Sequence, residues 1–262
     1  MSYDLPWDNM ELDKYMERLK NNLKELGIIL SDDQLNMFQT YYEMLIETNK
    51  VMNLTAITDI DEVITKHFVD SVSLVNVYPK LLDYQDIDHK QQSLLRILDL
   101  GTGAGFPGIP LKIVFPQIEI ILMDSLNKRV KFLQSVIDEL SLTDISAVHG
   151  RAEEMGRQKD YREQFDLCVS RAVANLSALS EYCLPFVKVG GYFISYKSAD
   201  IEEELNAAEN AIKILGGNLT EVKKLILPGS DIERSFVITG KIKNTSKTYP
   251  RKAGTASKNP LL

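Results

Sequence analysis

The segment Ile97-Leu98-Asp99-Leu100-Gly101-Thr102-Gly103-Ala104-Gly105-Phe106-Pro107-Gly108 sets an apolar run and one carboxylate ahead of four glycines in eight positions. A strand running into such a turn lets a ligand lie against bare backbone, where any Cβ would collide with it, which makes Gly101 and Gly103 candidate cofactor contacts. The spacing narrows the kind of cofactor. A dinucleotide fingerprint begun at Gly101 would need its third glycine at position 106, where Phe106 stands. A P-loop over Gly103 to Gly108 would need Lys and Ser or Thr where Ile109-Pro110 follow. The alternative to a cofactor loop is a tight strand-to-helix turn that binds nothing.

Other groups fall at the ends of predicted strands. Asp124 stands about twenty residues past the glycine loop, the distance at which an acidic side chain meets the ribose hydroxyls of an adenosyl ligand. Arg151-Ala152-Glu153-Glu154 would offer a backbone amide and a carboxylate to an adenine edge; acids are equally favoured there by a helix start. Ser170-Arg171 closes the fourth predicted strand, where an arginine can anchor a carboxylate or phosphate bidentately. Lys128, Arg129 and Lys131 crowd the first turns of a predicted helix against its dipole, either for function or as snorkelling surface cations. His67, His89 and His149 are scattered, and Cys168 and Cys183 are the only cysteines. No metal ligand set is visible, and the thiols read as reduced core residues.

Positioning these residues requires a helical lobe and an alternating core. Leu12, Tyr15, Met16, Leu19, Leu23 and Leu26 recur at helical spacing between Glu11 and the stop at Gly27. Ser31 is placed to cap a second helix to about Lys50, and a third is predicted from Ile60 to Val77, ahead of Pro79. These make a helical N-terminal lobe over 1–83, and the polar stretch Tyr84 to Ser93 reads as a loop. Strands predicted at 94–100, 118–124, 145–149, 165–170 and 191–197 alternate with helices, one capped by Ser125 and another from Ile201 to Leu215. Gly190-Gly191 reads as the turn before the fifth strand. Two last strands, 221–227 and 235–242, flank Pro228-Gly229-Ser230 as an antiparallel pair. The expected class is α/β, a doubly wound core over 94–242 with ligands at the carboxyl ends of its strands.

The chain has 262 residues, 44% hydrophobic and 26% charged, which suffices for a full α/β core with an added lobe. No run of about 18 apolar residues occurs, and Met1 to Met10 carries Asp4 and Asp8 without an apolar signal core. The expectation is a cytoplasmic protein with no membrane partner. A net charge of −7 argues against broad attraction to nucleic acid. Residues 241–262, however, hold Lys241, Lys243, Lys247, Arg251, Lys252 and Lys258 without a single acid. A basic tail over 243–262 is expected, solvated or laid along an RNA backbone.

The pattern Asp-x-Gly-x-Gly-x-Gly behind a buried strand is similar to the first motif of the S-adenosyl-L-methionine-dependent methyltransferases, and the predicted strand order resembles their Rossmann-like, seven-stranded fold. Missing residues narrow the acceptor. Ser170-Arg171-Ala172-Val173 replaces the Asn- or Asp-Pro-Pro-aromatic turn used for exocyclic amines, and Cys168 lies inside a strand, away from any pyrimidine. No lysine base with carboxylate support for a ribose hydroxyl is evident. A purine ring nitrogen carries its own lone pair and needs alignment, not a general base. Asn53-Leu54-Thr55, Lys66-His67-Phe68-x-Asp70-Ser71, the glycine loop, Asp124-Ser125-x-x-Lys128-Arg129, Ser170-Arg171-Ala172 and Pro250-Arg251-Lys252-x-Gly254-x-x-x-Lys258-x-Pro260-Leu261 together resemble the bacterial small-subunit ribosomal RNA guanine-N7 methyltransferases, the RsmG or GidB family.

The resemblance implies S-adenosyl-L-methionine as cofactor, no metal, and 16S ribosomal RNA or an assembling 30S subunit as partner. It puts Gly101, Phe106, Ala152, Glu153 and Arg171 on cofactor-contact positions, with Asp124 a further ribose candidate and His67 and Asp70 near the pocket mouth. Arg171 is the candidate for positioning the acceptor, and Lys128, Arg129, Arg251, Lys252 and Lys258 are the candidates for holding RNA. Another RNA or small-molecule acceptor on the same fold, and a noncatalytic S-adenosyl-L-methionine-binding regulator, remain as alternatives.

Overall fold

In a computed structural model, which describes residues 9–85 and 94–261, the strands are β1 (Arg96–Leu100), β2 (Glu119–Asp124), β3 (Ile145–His149), β4 (Phe165–Arg171), β5 (Val187–Lys197), β6 (Gly217–Ile226) and β7 (Glu233–Lys241). They form one sheet in the order β3-β2-β1-β4-β5-β7-β6. The first five run parallel, and β7 lies antiparallel between β5 and β6, as the Pro228-Gly229-Ser230 turn predicts. The chain moves outward from β1 to β3 and returns to β4 on the other side of β1. The order therefore reverses between β1 and β4, where a doubly wound sheet opens a crevice at its carboxyl ends.

Alternate residues of each strand serve opposite faces. Ile97, Leu167, Val169 and Ile194 join the apolar cluster that contains the N-terminal helices, whereas Leu98, Leu100, Cys168 and Phe193 join a second one. That second cluster is closed by α8 (Leu176–Cys183) and α9 (Glu202–Ile214). Cys168 and Cys183 are both buried, free thiols.

The N-terminal helices share their core with the sheet. α1 (Asn9–Glu25) is followed by α2 (Asp32–Met52), which Ser31 and Gln34 start with a reciprocal capping box. Phe38 of α2 and Phe68 sit in one cluster with Leu122, Ile137 and Phe236, so the lobe and the sheet bury a common apolar surface. The predicted third helix is a compound rod: α3 (Ile60–Val63), a π-helix over Ile64–Val69, α4 (Asp70–Val72) and a 3-10 turn over Ser73–Asn76. Apolar spacing identifies such a rod but does not specify the width of its turns. Widened turns of this kind gather at functional sites, and this one carries Lys66 and His67.

Several boundaries differ from expectation. Of the stretch Tyr84 to Ser93, residues 86–93 lie outside the described residues. Gly190-Gly191 is not a turn: β5 runs through it with a register shift against β4, Gly190 taking φ +89. Ser125 does not cap α6 (Asn127–Glu139); the cap residue is Leu126, whose N–H is accepted by Asp124 Oδ1 at 2.9 Å. α5 (Gly108–Val114) follows the glycine loop, and α7 (Ala152–Met155) follows β3. The basic tail is not solvated chain. It packs on the core and includes α10 (Thr255–Lys258); Lys241, at the end of β7, is buried, and its ammonium donates to Leu184 O and to Thr245 Oγ1 in the tail.

Candidate functional site

The glycine loop is fixed from three sides. Asp99 is fully buried, and its Oδ2 accepts from Thr102 Oγ1 at 2.6 Å and from Gly108 N at 2.7 Å. Burial pushes its carboxyl up to about 7 in spite of both bonds. From α2, the Tyr41 hydroxyl donates to Ala104 O at 2.6 Å. From β2, Asp124 Oδ2 accepts from Gly103 N at 3.0 Å, with the Arg129 guanidinium 3.4 Å away. Asp124 thus braces the loop with one oxygen and starts α6 with the other.

Most of the glycines are explained by the protein's own packing. A Cβ on Gly101 would come within 2.5 Å of Val173, on Gly105 within 2.5 Å of Ile109, and on Gly108 within 2.2 Å of Leu122. Of the four, only Gly103, at φ +63, would direct a Cβ into open space. The expectation that the whole run clears room for a ligand is corrected accordingly: the clearance is at Gly103, and Gly101 lines the crevice with its backbone.

Two cavities open at the strand ends. The first, of about 360 Å³, is lined by Gly101, Asp124, Ala152 and Glu153, together with Tyr182 and Ser257. The second, of about 610 Å³, is lined by Lys66, His67, Asp70, Arg171, Lys197 and Arg234. The turn after β4 divides them. Val173 faces the first, Arg171 and Ala172 the second, and Ala172 takes φ +56 between them. A non-glycine residue in that left-handed conformation is costly and characteristic of functional sites. A larger hollow of about 710 Å³ at the start of α9 is lined by Asp200, Glu202, Glu203 and Glu204, a poor surface for an anionic substrate.

The second cavity is cationic and internally wired. Asp70, 1% exposed, accepts from Arg171 Nη1 at 2.7 Å and from Arg234 Nε at 2.9 Å, one oxygen to each. Arg171 also donates to Lys66 O at 2.8 Å and reaches His67 Nδ1 at 3.1 Å. His67 Nδ1 lies 3.1 Å from Lys66 O as well, and Nε2 lies 2.9 Å from Thr55 Oγ1, so both ring nitrogens are engaged. Burial and the Arg171 charge hold His67 down to about 3, a neutral imidazole. Its ring stacks on Phe106 at 4.4 Å, over which the Arg171 guanidinium also lies.

These contacts redistribute the sequence candidates. Gly101, Asp124, Ala152 and Glu153 meet at the first cavity. Phe106 is nearly buried beneath His67 instead, and Arg171 belongs to the second cavity. Arg251 faces inward to the buried carboxylate of Glu181, 2.6 Å from Nη2, and Arg129 leans on Asp124, so neither is a free cation. Lys128, Lys252 and Lys258 are exposed. Sequence reasoning missed Arg234, Tyr182, Gly254 and Ser257. Arg234 carries no local signal, being tied to Asp70 across 164 residues. Among the described residues no group of three or more His, Cys, Asp or Glu could hold a metal ion, and no helix is long and apolar enough to cross a membrane.

Comparison with known proteins decides the family. The GidB family model, described as rRNA small subunit methyltransferase G, matches residues 34–235. The chain belongs to this family. Relatives named ribosomal RNA small subunit methyltransferase G include one from Lachnoclostridium phytofermentans, 52% identical over 241 residues that cover 92% of this chain and 95% of that one. Another, from Alkaliphilus metalliredigens, is 50% identical over 243 residues, 93% of this chain and 97% of that one. A third, from Acetivibrio thermocellus, is 48% identical over 254 residues, covering 97% and 99%. In this GidB family member the scattered motif pieces converge: Thr55, His67, Asp70 and Arg171 form one hydrogen-bonded chain along the second cavity.

Proposed function

We propose that the protein transfers the methyl group of S-adenosyl-L-methionine to N7 of a guanine in small-subunit (16S) ribosomal RNA. The first cavity suits the cofactor. It has the size of a small-molecule site, it lies at the switch point, and it joins Asp124, the ribose candidate, to the Gly101 backbone and the Ala152-Glu153 edge. When bound, the cofactor supplies an electrophilic methyl on a sulfonium.

The observation that carries the choice of acceptor is the lack of a free base in the second cavity. Both oxygens of Asp70 are taken by arginines, Glu204 is held by Lys197 and Leu176 N through Oε1, and His67 is neutral with both ring nitrogens bonded. Both carboxylates that line the cavity are paired with cations, a poor setting for taking a proton from an amine or hydroxyl acceptor. Guanine N7 has no proton to lose, so the cavity has only to orient the base and exclude water. Arg171, at the partition between the cavities, is the positioning residue. Asp70 with Arg171 and Arg234 carries a net positive charge suited to an RNA strand.

Lys128, Lys252 and Lys258 are the exposed cations assigned to the RNA backbone outside the cavity. The substrate is 16S ribosomal RNA, free or in an assembling 30S particle, and the place of action is the cytoplasm. Incubation with methyl-labelled cofactor and, separately, naked 16S RNA, 30S particles and tRNA, followed by mapping of the modified base, tests the reading. Label at a guanine N7 of 16S RNA is expected; label confined to tRNA or to another atom refutes it.

A further inference from the structure

We infer that the C-terminal segment 244–261 is a wall of the cofactor cavity, contributing Gly254 and Ser257 beside Ala152 and Glu153, and that its docking is coupled to cofactor binding. The inference rests on the assignment of the first cavity to S-adenosyl-L-methionine. Both residues line that cavity. Glu153, which also lines it, accepts from Gly254 N at 2.8 Å, so a side chain at the cofactor edge is also the clasp of the segment.

The segment is held by buried charge. Glu181 is fully buried on α8, and its carboxylate accepts from Arg251 N at 2.7 Å, Nε at 3.0 Å and Nη2 at 2.6 Å. Lifting the segment away would strand that carboxylate, a costly state for a buried anion. The next residue, Tyr182, lines the same cavity. Downstream of α7, whose first turn supplies Ala152 and Glu153, two arginines grip the segment by its main chain. Arg157 donates to the carbonyls of Lys247, Thr248 and Pro250, and Arg162 to those of Thr245, Ser246 and Tyr249.

One stretch of backbone therefore positions the cavity's edge and anchors its wall. A ligand that touches both stabilises the docked segment, and by reciprocity the docked segment raises the affinity for that ligand. Of the basic residues at 241–262, Arg251 serves this docking through Glu181, and Lys241 at the end of β7 points inward to Glu163.

The test uses the full chain, S-adenosylhomocysteine as probe, calorimetric titration for affinity and amide hydrogen exchange for docking. Saturation with S-adenosylhomocysteine is expected to slow exchange across 244–261. Glu181→Gln, which removes the anchoring charge without touching the cavity, is expected to weaken binding about fivefold or more, the lower end of measured couplings. Ser257→Trp, at an exposed position, is expected to weaken it as strongly by filling the cavity, and it serves if Glu181→Gln fails to fold. Wild-type affinity in Ser257→Trp, or exchange across the segment indifferent to a ligand that binds, overturns the inference and leaves the cofactor reading standing. No binding of S-adenosylhomocysteine by the wild type overturns both.

Discussion

Asp70→Asn replaces the carboxylate that joins Arg171 to Arg234 with a neutral group of the same shape. The side chain is 1% exposed, and the two guanidiniums are 14% and 23% exposed, so solvent screens the pairs only partly. Each hydrogen bond between charged partners contributes roughly 1.5 to 3 kcal/mol, and the asparagine oxygen keeps one of the two contacts in weaker form. With allowance for relaxation of Arg234 toward water, a net loss of about 2 to 4 kcal/mol is expected in urea denaturation. Removing Arg171 as well should cost less than the sum of the single changes, since with residue 70 already neutral the second change no longer takes a partner from a buried anion. A coupling of at least about 1 kcal/mol in the Asp70→Asn, Arg171→Met cycle is the expected value. Methyl transfer should show a raised KM for RNA with unchanged affinity for S-adenosylhomocysteine. A loss below about 0.5 kcal/mol, the range of an exposed ion pair, or a coupling near zero would refute the argument that this triad frames the acceptor cavity.

Asp124→Ala deprives Gly103 N and Leu126 N of their acceptor, so it is expected to lower stability by about 1 to 3 kcal/mol and to weaken S-adenosyl-L-methionine and S-adenosylhomocysteine equally; an effect on one ligand only, by calorimetry, contradicts a ribose contact. Asp99 has a folded pKa raised to about 7, so the folded state binds its proton more tightly than the unfolded one. Its contribution is complete below about pH 4 and lost as pH rises through 7. Wild type should therefore lose about 2 to 3 kcal/mol relative to Asp99→Asn between pH 5 and pH 8; a flat difference in denaturation midpoints rejects this. Neutralising Lys128, Lys252 and Lys258 should flatten the log-log salt dependence of RNA binding by about 0.7 per lost phosphate contact for single strands, cofactor affinity unchanged, and an unaltered slope removes them from the RNA surface.

The features legible in the sequence are those with short-range periodicity. The glycine turn after β1, the Ser31 cap, the alternating strands and the final hairpin each follow from local spacing, and the switch point follows from their order. The wiring of the acceptor cavity does not, because Asp70 meets Arg171 across 101 residues and Arg234 across 164. The π-helix at Ile64–Val69 was invisible for a related reason: the same apolar residues satisfy either turn width. Glycines misled in the other direction. Density suggested ligand clearance throughout, while Gly105 and Gly108 make room for Ile109, Tyr41, Leu122 and Asp99. The C-terminal segment read as a tail because what holds it, backbone carbonyls accepting from Arg157 and Arg162, leaves no mark in its own side chains.

The second cavity takes Lys66, His67 and Asp70 from the N-terminal helices and Arg171, Lys197 and Arg234 from the sheet. The Tyr41 hydroxyl on Ala104 O and the Tyr196 hydroxyl on Ser71 O cross the same seam in opposite directions. Neither half is therefore an interchangeable module. Grafting foreign helices onto this core would replace one half of the cavity lining and leave Arg171 and Arg234 without the Asp70 that joins them.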